Sequence, residues 1–62
     1  MYNVKANNGV EFIIGFNNRE NKSYVRQFDY VGHIGKDIKI GDFDDCYDFV
    51  QNKVAEINGQ IL

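Results

Sequence analysis

The chain has 62 residues and a mass of 7.2 kDa, with 44% hydrophobic and 26% charged side chains and nine acidic against seven basic groups. That is one small domain, 1–62, burying only about 60% of its unfolded surface. One cysteine, Cys46, and one histidine, His33, exclude an internal disulfide and a Cys/His zinc site, so self-association is the readiest further source of stability.

Tyr2, Val4 and Ala6 alternate with polar Asn3 and Lys5, and Val10, Phe12, Ile14 and Phe16 alternate again after Asn7-Asn8-Gly9, the pattern of a β-hairpin. A two-residue loop at Asn8-Gly9 would set Lys5 opposite Phe12 and mix polar with apolar side chains on both faces. A three-residue loop, with Gly9 left-handed, instead pairs Ala6 with Val10, Val4 with Phe12, Tyr2 with Ile14 and Lys5 with Glu11. That register keeps one face apolar and is the one expected.

Asn17 to Lys22 reads as a polar loop, and Ser23 to Val31 resumes a strand pattern. Its faces are mixed: Tyr24, Arg26, Phe28 and Tyr30 share one, Val25, Gln27, Asp29 and Val31 the other. Gly32-His33-Ile34-Gly35 supplies a turn, and Asp37-Ile38-Lys39-Ile40 alternates once more, with Ile38 and Ile40 expected on one side. From Asp42 onward Phe43, Cys46, Tyr47, Val50, Val54 and Ile57 form a continuous helical stripe. Asp42 caps it, Asp44, Asp45 and Asp48 favour the positive end of the dipole, and Gly59 stops it. The spacing predicts a helix over 43–58, with Ile61 and Leu62 tucked under its end.

These elements give an α+β fold in β-β-β-β-α order: an antiparallel sheet of three to four strands covered on one face by the C-terminal helix. The other face stays open. Asn3, Lys5 and Glu11 make much of it polar, but Ile13 and one full side of the third strand also lie there. Phe49 falls about 120° from the centre of the helical stripe. Ile13, Phe28, Tyr30 and Phe49 are therefore the candidate apolar contacts for a partner, foremost a second copy of the chain.

Charge is uneven along the chain. Residues 1–28 carry four basic and two acidic groups, residues 29–62 three and seven, which sums to the net −2. Asp44, Asp45, Asp48 and Glu56 lie opposite the apolar stripe, an acidic face suited to a basic host protein.

The residues offer little to catalysis. Asp42-x-Asp44-x-Cys46-x-Asp48 has the alternate spacing of a calcium loop, but Tyr47 and Lys53 stand where such a loop needs glycine and glutamate. Gly32-x-x-Gly35-Lys36 has too few residues between its glycines for a phosphate loop and leads into a strand. Cys46 sits in the apolar stripe beside aspartates that oppose a thiolate, and His33 has no metal-spaced partner. Ser23 is the one serine, and threonine is missing. No catalytic residue, cofactor or metal is expected, and no enzyme.

The longest apolar run, Phe12 to Ile14, is too short to span a membrane, and the first five residues lack a leader's pattern, so a cytoplasmic protein with no membrane partner is expected. Phe, Tyr, Met, Ile, Asn and Lys, all with A/T-rich codons, make up 30 of the 62 residues, which points to a low-GC bacterium or its phage. The reading is a non-enzymatic protein-protein interaction module, homodimeric, acting as a small regulator or inhibitor. The alternative is single-stranded nucleic-acid binding by stacking on Tyr24, Phe28 and Tyr30, which a pI near 5.1 opposes.

Overall fold

The first hairpin adopts the register that keeps one face apolar. In the computed structural model, which describes residues 2–29 and 35–59, β1 (Tyr2–Lys5) pairs antiparallel with β2 (Glu11–Asn17). Tyr2 lies opposite Ile14, Val4 opposite Phe12 and Lys5 opposite Glu11. The loop is Asn7 to Gly9: the Ala6 amide donates to the Val10 carbonyl at 2.8 Å, the Gly9 amide to the Ala6 carbonyl at 3.0 Å, and Gly9 takes φ 93°. The Asn8 Oδ1 accepts from the Val10 amide at 3.0 Å, which holds the turn.

Strand β3 (Lys22–Phe28) pairs antiparallel with β2 from Asn17↔Lys22 to Glu11↔Phe28. The polar loop is thus shorter than the 17–22 stretch expected, because Asn17 and Lys22 close the ladder. Asn17 Oδ1 accepts from the Arg19 and Glu20 amides at 3.0 and 3.4 Å, and Asn21 takes φ 55°, a conformation Asn tolerates better than most residues. Strand β4 (Lys36–Gly41) completes a four-stranded sheet in the order β1-β2-β3-β4.

Among the described residues the β3–β4 ladder carries the one irregularity. Val25 faces Lys39 and Arg26 faces Asp37, so Ile38 has no direct partner and forms a β-bulge. The extra residue breaks the period of two. Ile38 packs on the core, while Ile40 pairs with Tyr24 and is 59% exposed. The expectation that Ile38 and Ile40 share a side is therefore corrected, and the bulge is the cause.

Helix α1 (Phe43–Gly59) follows at once, its first bond running from the Cys46 amide to the Asp42 carbonyl at 3.0 Å. It lies across β2, β3 and β4. The core beneath it is Phe12, Ile14 and Val25 from the sheet with Cys46 and Val50 from the helix, and Tyr2, Val4, Val10, Ile38, Phe49, Val54 and Ile57 pack around it. Each of the large buried side chains contributes roughly 1.5–3 kcal/mol by leaving water. The far end of the helix is tied to the first turn, where Asn58 Oδ1 accepts from the Asn7 amide at 2.9 Å.

The stripe is not buried along its whole length. Cys46 and Val50 are fully buried, but Phe43 and Tyr47 remain 48% and 40% exposed because the helix flank they occupy overhangs the β1 side. Tyr47 meets Tyr2 there, with ring centroids 5.3 Å apart, and Phe43 stacks on Tyr47 at 6.1 Å. Among the described residues no helix is long and apolar enough to cross a membrane. Tyr30, Val31, the Gly32–Ile34 part of the turn with His33, and Ile61 and Leu62 lie outside the described residues.

Candidate functional site

With α1 on one face, alternation places Asn3 and Lys5 of β1, Glu11, Ile13, Gly15 and Asn17 of β2, and Lys22, Tyr24, Arg26 and Phe28 of β3 on the other. The bulge adds Asp37 and Ile40 from β4. Strand β3 thus turns Val25 to the core and its aromatic side outward, which resolves the two mixed faces of that strand. Phe12 and Ile14 can enclose Val25 completely, whereas the larger Tyr24 and Phe28 stay half-buried in the open.

The outward rings lie down on glycines. Tyr24 is the cross-strand partner of Gly15, and a Cβ built there would collide with its Cζ and Oη. A Cβ at Gly35 would come within 2.6 Å of Phe28 Cε1 and 2.7 Å of Arg26 Cδ. Glycine at both positions lets the rings press flat on the backbone, burying part of each ring in a face without a second layer. Between them the Arg26 guanidinium sits 5.1 Å from the Tyr24 ring centroid. Its Nε donates to Asp37 Oδ1 at 2.7 Å, with both side chains nearly half exposed. The hydrogen bond to Asp37, then its charge, raises the guanidinium pKa above its ordinary value, so Arg26 stays cationic and locally compensated.

Ile13 and Phe28 therefore share the uncovered face, as the sequence suggested, with Tyr24 and Ile40 beside them. Tyr30 lies outside the described residues. Phe49 is elsewhere: it is half-buried against the core at the seam between α1 and β4. The bulge turns both Ile38 and Lys39 toward the helix, and the Lys39 and Lys53 ammonium groups stand 5.9 and 5.6 Å from the Phe49 ring centroid. The ring is thus screened by two cationic side chains. Ile40 was missed because a bulge leaves no mark in an Ile-x-Ile pattern.

Asp44, Asp45, Asp48 and Glu56 are all exposed on the outer side of α1. The acid concentrates in one layer: residues 42–59 carry five acidic groups and Lys53, whereas residues 1–41 carry six basic and four acidic groups. Cys46 is fully buried. Burial raises its thiol pKa, reinforced by Asp45 and Asp42 and opposed by Lys39, so it is neutral at physiological pH.

Two open grooves flank the β2–β3 turn. One, of about 460 Å³, runs on the helix side between Phe16, Phe43 and Asp42, and the other, of about 370 Å³, opens between Tyr24, Arg26, Asp37 and Ile40. Both are surface troughs without a converging set of nucleophile, base and oxyanion donors. Among the described residues no cluster of His, Cys, Asp and Glu could hold a metal ion. Comparison with protein-family models, with curated proteins and with solved structures finds no match to this chain.

Proposed function

We propose that this chain is a non-enzymatic protein-protein interaction module that works as a homodimer. The observation that carries it is the uncovered apolar surface: Ile13, Tyr24, Phe28 and Ile40 on the open sheet face, and Phe43 and Tyr47 exposed at the helix flank. Among the described residues the core holds five fully buried side chains, which leaves a 62-residue chain near the lower limit of independent stability, and covering such a surface with another protein adds to it. The outer helix face, with Asp44, Asp45, Asp48 and Glu56 exposed, supports a basic partner, such as a small regulator or inhibitor would bind. Light scattering during size exclusion tests the homodimer. A mass of twice 7.2 kDa at low micromolar concentration supports it, and 7.2 kDa throughout the micromolar range rejects it.

A second reading, single-stranded nucleic-acid binding, is favoured by the row Tyr24, Arg26, Phe28 with its cation over a ring. Two features weaken it. Asp37 compensates Arg26, and among the described residues the open face holds Lys5, Lys22 and Arg26 against Glu11 and Asp37, too little positive charge for several phosphates. A gel shift with short single-stranded RNA at low salt decides it, retention supporting the reading and free migration removing it.

A further inference from the structure

Among the described residues β1 and β4 are the edges of the sheet. They differ in how they meet a further strand. β4 carries the bulge at Ile38 and the charges of Lys36, Asp37 and Lys39, features that disfavour edge pairing. β1 is regular and bears one charge, Lys5.

The hydrogen-bond phase of β1 follows from the turn. The Ala6 amide points to Val10, so alternation aims Val4 and Tyr2 at β2 and leaves the N–H and C=O of Asn3 and Lys5 directed outward. Above this edge, on the helix side, half-buried Tyr2 and Val4 lie beyond the strands that α1 covers, and Tyr47, with Phe43 stacked on it, reaches Tyr2.

We infer that a second copy of the chain adds antiparallel to β1 about a two-fold axis at Val4, joining two sheets into one of eight strands with both helices on the same face. This rests on the homodimer reading and names the surface it uses. The register follows from chemistry. An axis at Val4 sets Asn3 opposite Lys5 of the second copy, so the outward groups of both strands exchange four backbone hydrogen bonds. On the helix side it sets Val4 opposite Val4 and Tyr2 opposite Ala6, apolar against apolar. An axis at Lys5 would oppose two lysines, and one at Asn3 would pair Asn3 alone among the described residues.

The dimensions agree. With strands about 4.8 Å apart, a helix lying nearest β3 is roughly 12 Å from the axis, and the two helices roughly 24 Å from each other. Taking a helix as about 10 Å across leaves a gap on the order of 14 Å. That gap is floored by Tyr2 and flanked by Tyr47 of each copy, with Phe43 stacked on Tyr47, and these rings supply the apolar contact a strand edge alone lacks. A standard interface of about 800 Å² per partner is under a fifth of the 4517 Å² this chain exposes. The pairing covers the Phe43 and Tyr47 part of the apolar surface, and the two open faces, still bearing Ile13, Tyr24, Phe28 and Ile40, run together as one doubled platform.

Two variants of the full chain test this. Asn3→Pro removes an N–H that points outward and so leaves the β1–β2 ladder intact while blocking the added strand. Val4→Cys puts two thiols about 4.5–5.5 Å apart at their Cβ atoms across the axis, close enough for a small shift to join them. Asn3→Pro is expected to weaken dimerisation at least tenfold with the circular-dichroism spectrum retained, and Val4→Cys to cross-link under oxidised glutathione while buried Cys46 does not. A dimer that survives Asn3→Pro unchanged and does not cross-link at Val4→Cys overturns the edge assignment and leaves the homodimer standing. A wild-type chain that stays monomeric overturns both.

Discussion

Gly15 and Tyr24 act as one residue pair. Since a Cβ at Gly15 collides with the ring, Gly15→Ala must push Tyr24 off the sheet, at a cost of roughly 1–3 kcal/mol of the kind seen on overpacking. In a Tyr24→Ala background the same change should cost less than half as much. Urea unfolding of the four members of that cycle measures the coupling, and additive effects would show that ring and glycine are independent. Cys46 gives a pH prediction. Its folded pKa is raised, so the stability held by the neutral thiol is fully present below the ordinary thiol value and is lost as pH rises through the folded one. Chemical unfolding at pH 7 and pH 10 should show a loss that Cys46→Ala reduces. At neutral pH alkylation of the wild-type thiol should proceed only as fast as the chain opens.

At the scale of elements the bulge on β4 decides what two similar isoleucines do. Ile38→Ala should destabilise by roughly 1–3 kcal/mol, whereas Ile40→Ala should stay within about 0.5 kcal/mol, and thermal unfolding of the two variants separates them. Equal losses would mean that both side chains point the same way. The contrast also shows how far the residues could be read. The first hairpin was legible to its register because only one loop length keeps Tyr2, Val4 and Ala6 opposite apolar partners. The helix was legible because its apolar spacing is unambiguous, and the order of four strands before it fixed the α+β class. Outcomes that depend on the neighbouring layer were not legible. The exposure of Phe43 and Tyr47 reflects where α1 sits over the sheet, and the partial burial of Phe49 reflects a bulge that turned Lys39 inward. Of the candidate contacts, Ile13 could be placed on the open face from strand alternation, whereas Phe28 could not, because both faces of its strand are mixed, and neither could Phe49.

For the molecule as a whole, about 0.05–0.15 kcal/mol per residue over 62 residues gives a stability of roughly 3–9 kcal/mol. Phe12 is the largest fully buried side chain among the described residues. Phe12→Ala, at about 3–5 kcal/mol, should therefore remove most of that margin, and the circular-dichroism melt should lose its cooperative transition or shift down by many degrees. An unaltered melt would mean that the core is not what holds the two layers. Every strand pairs with its neighbour in sequence, so the sheet is assembled from local contacts, of the kind that fold quickly. Its covering layer nevertheless follows all four strands in the chain. On a ribosome adding about 5–20 residues per second, the 17 residues of α1 take on the order of 1–3 s to emerge after the strands. Throughout that interval the nascent polypeptide displays Phe12, Ile14 and Val25 bare to solvent or to whatever chaperone meets it, a vulnerability imposed by the direction of synthesis.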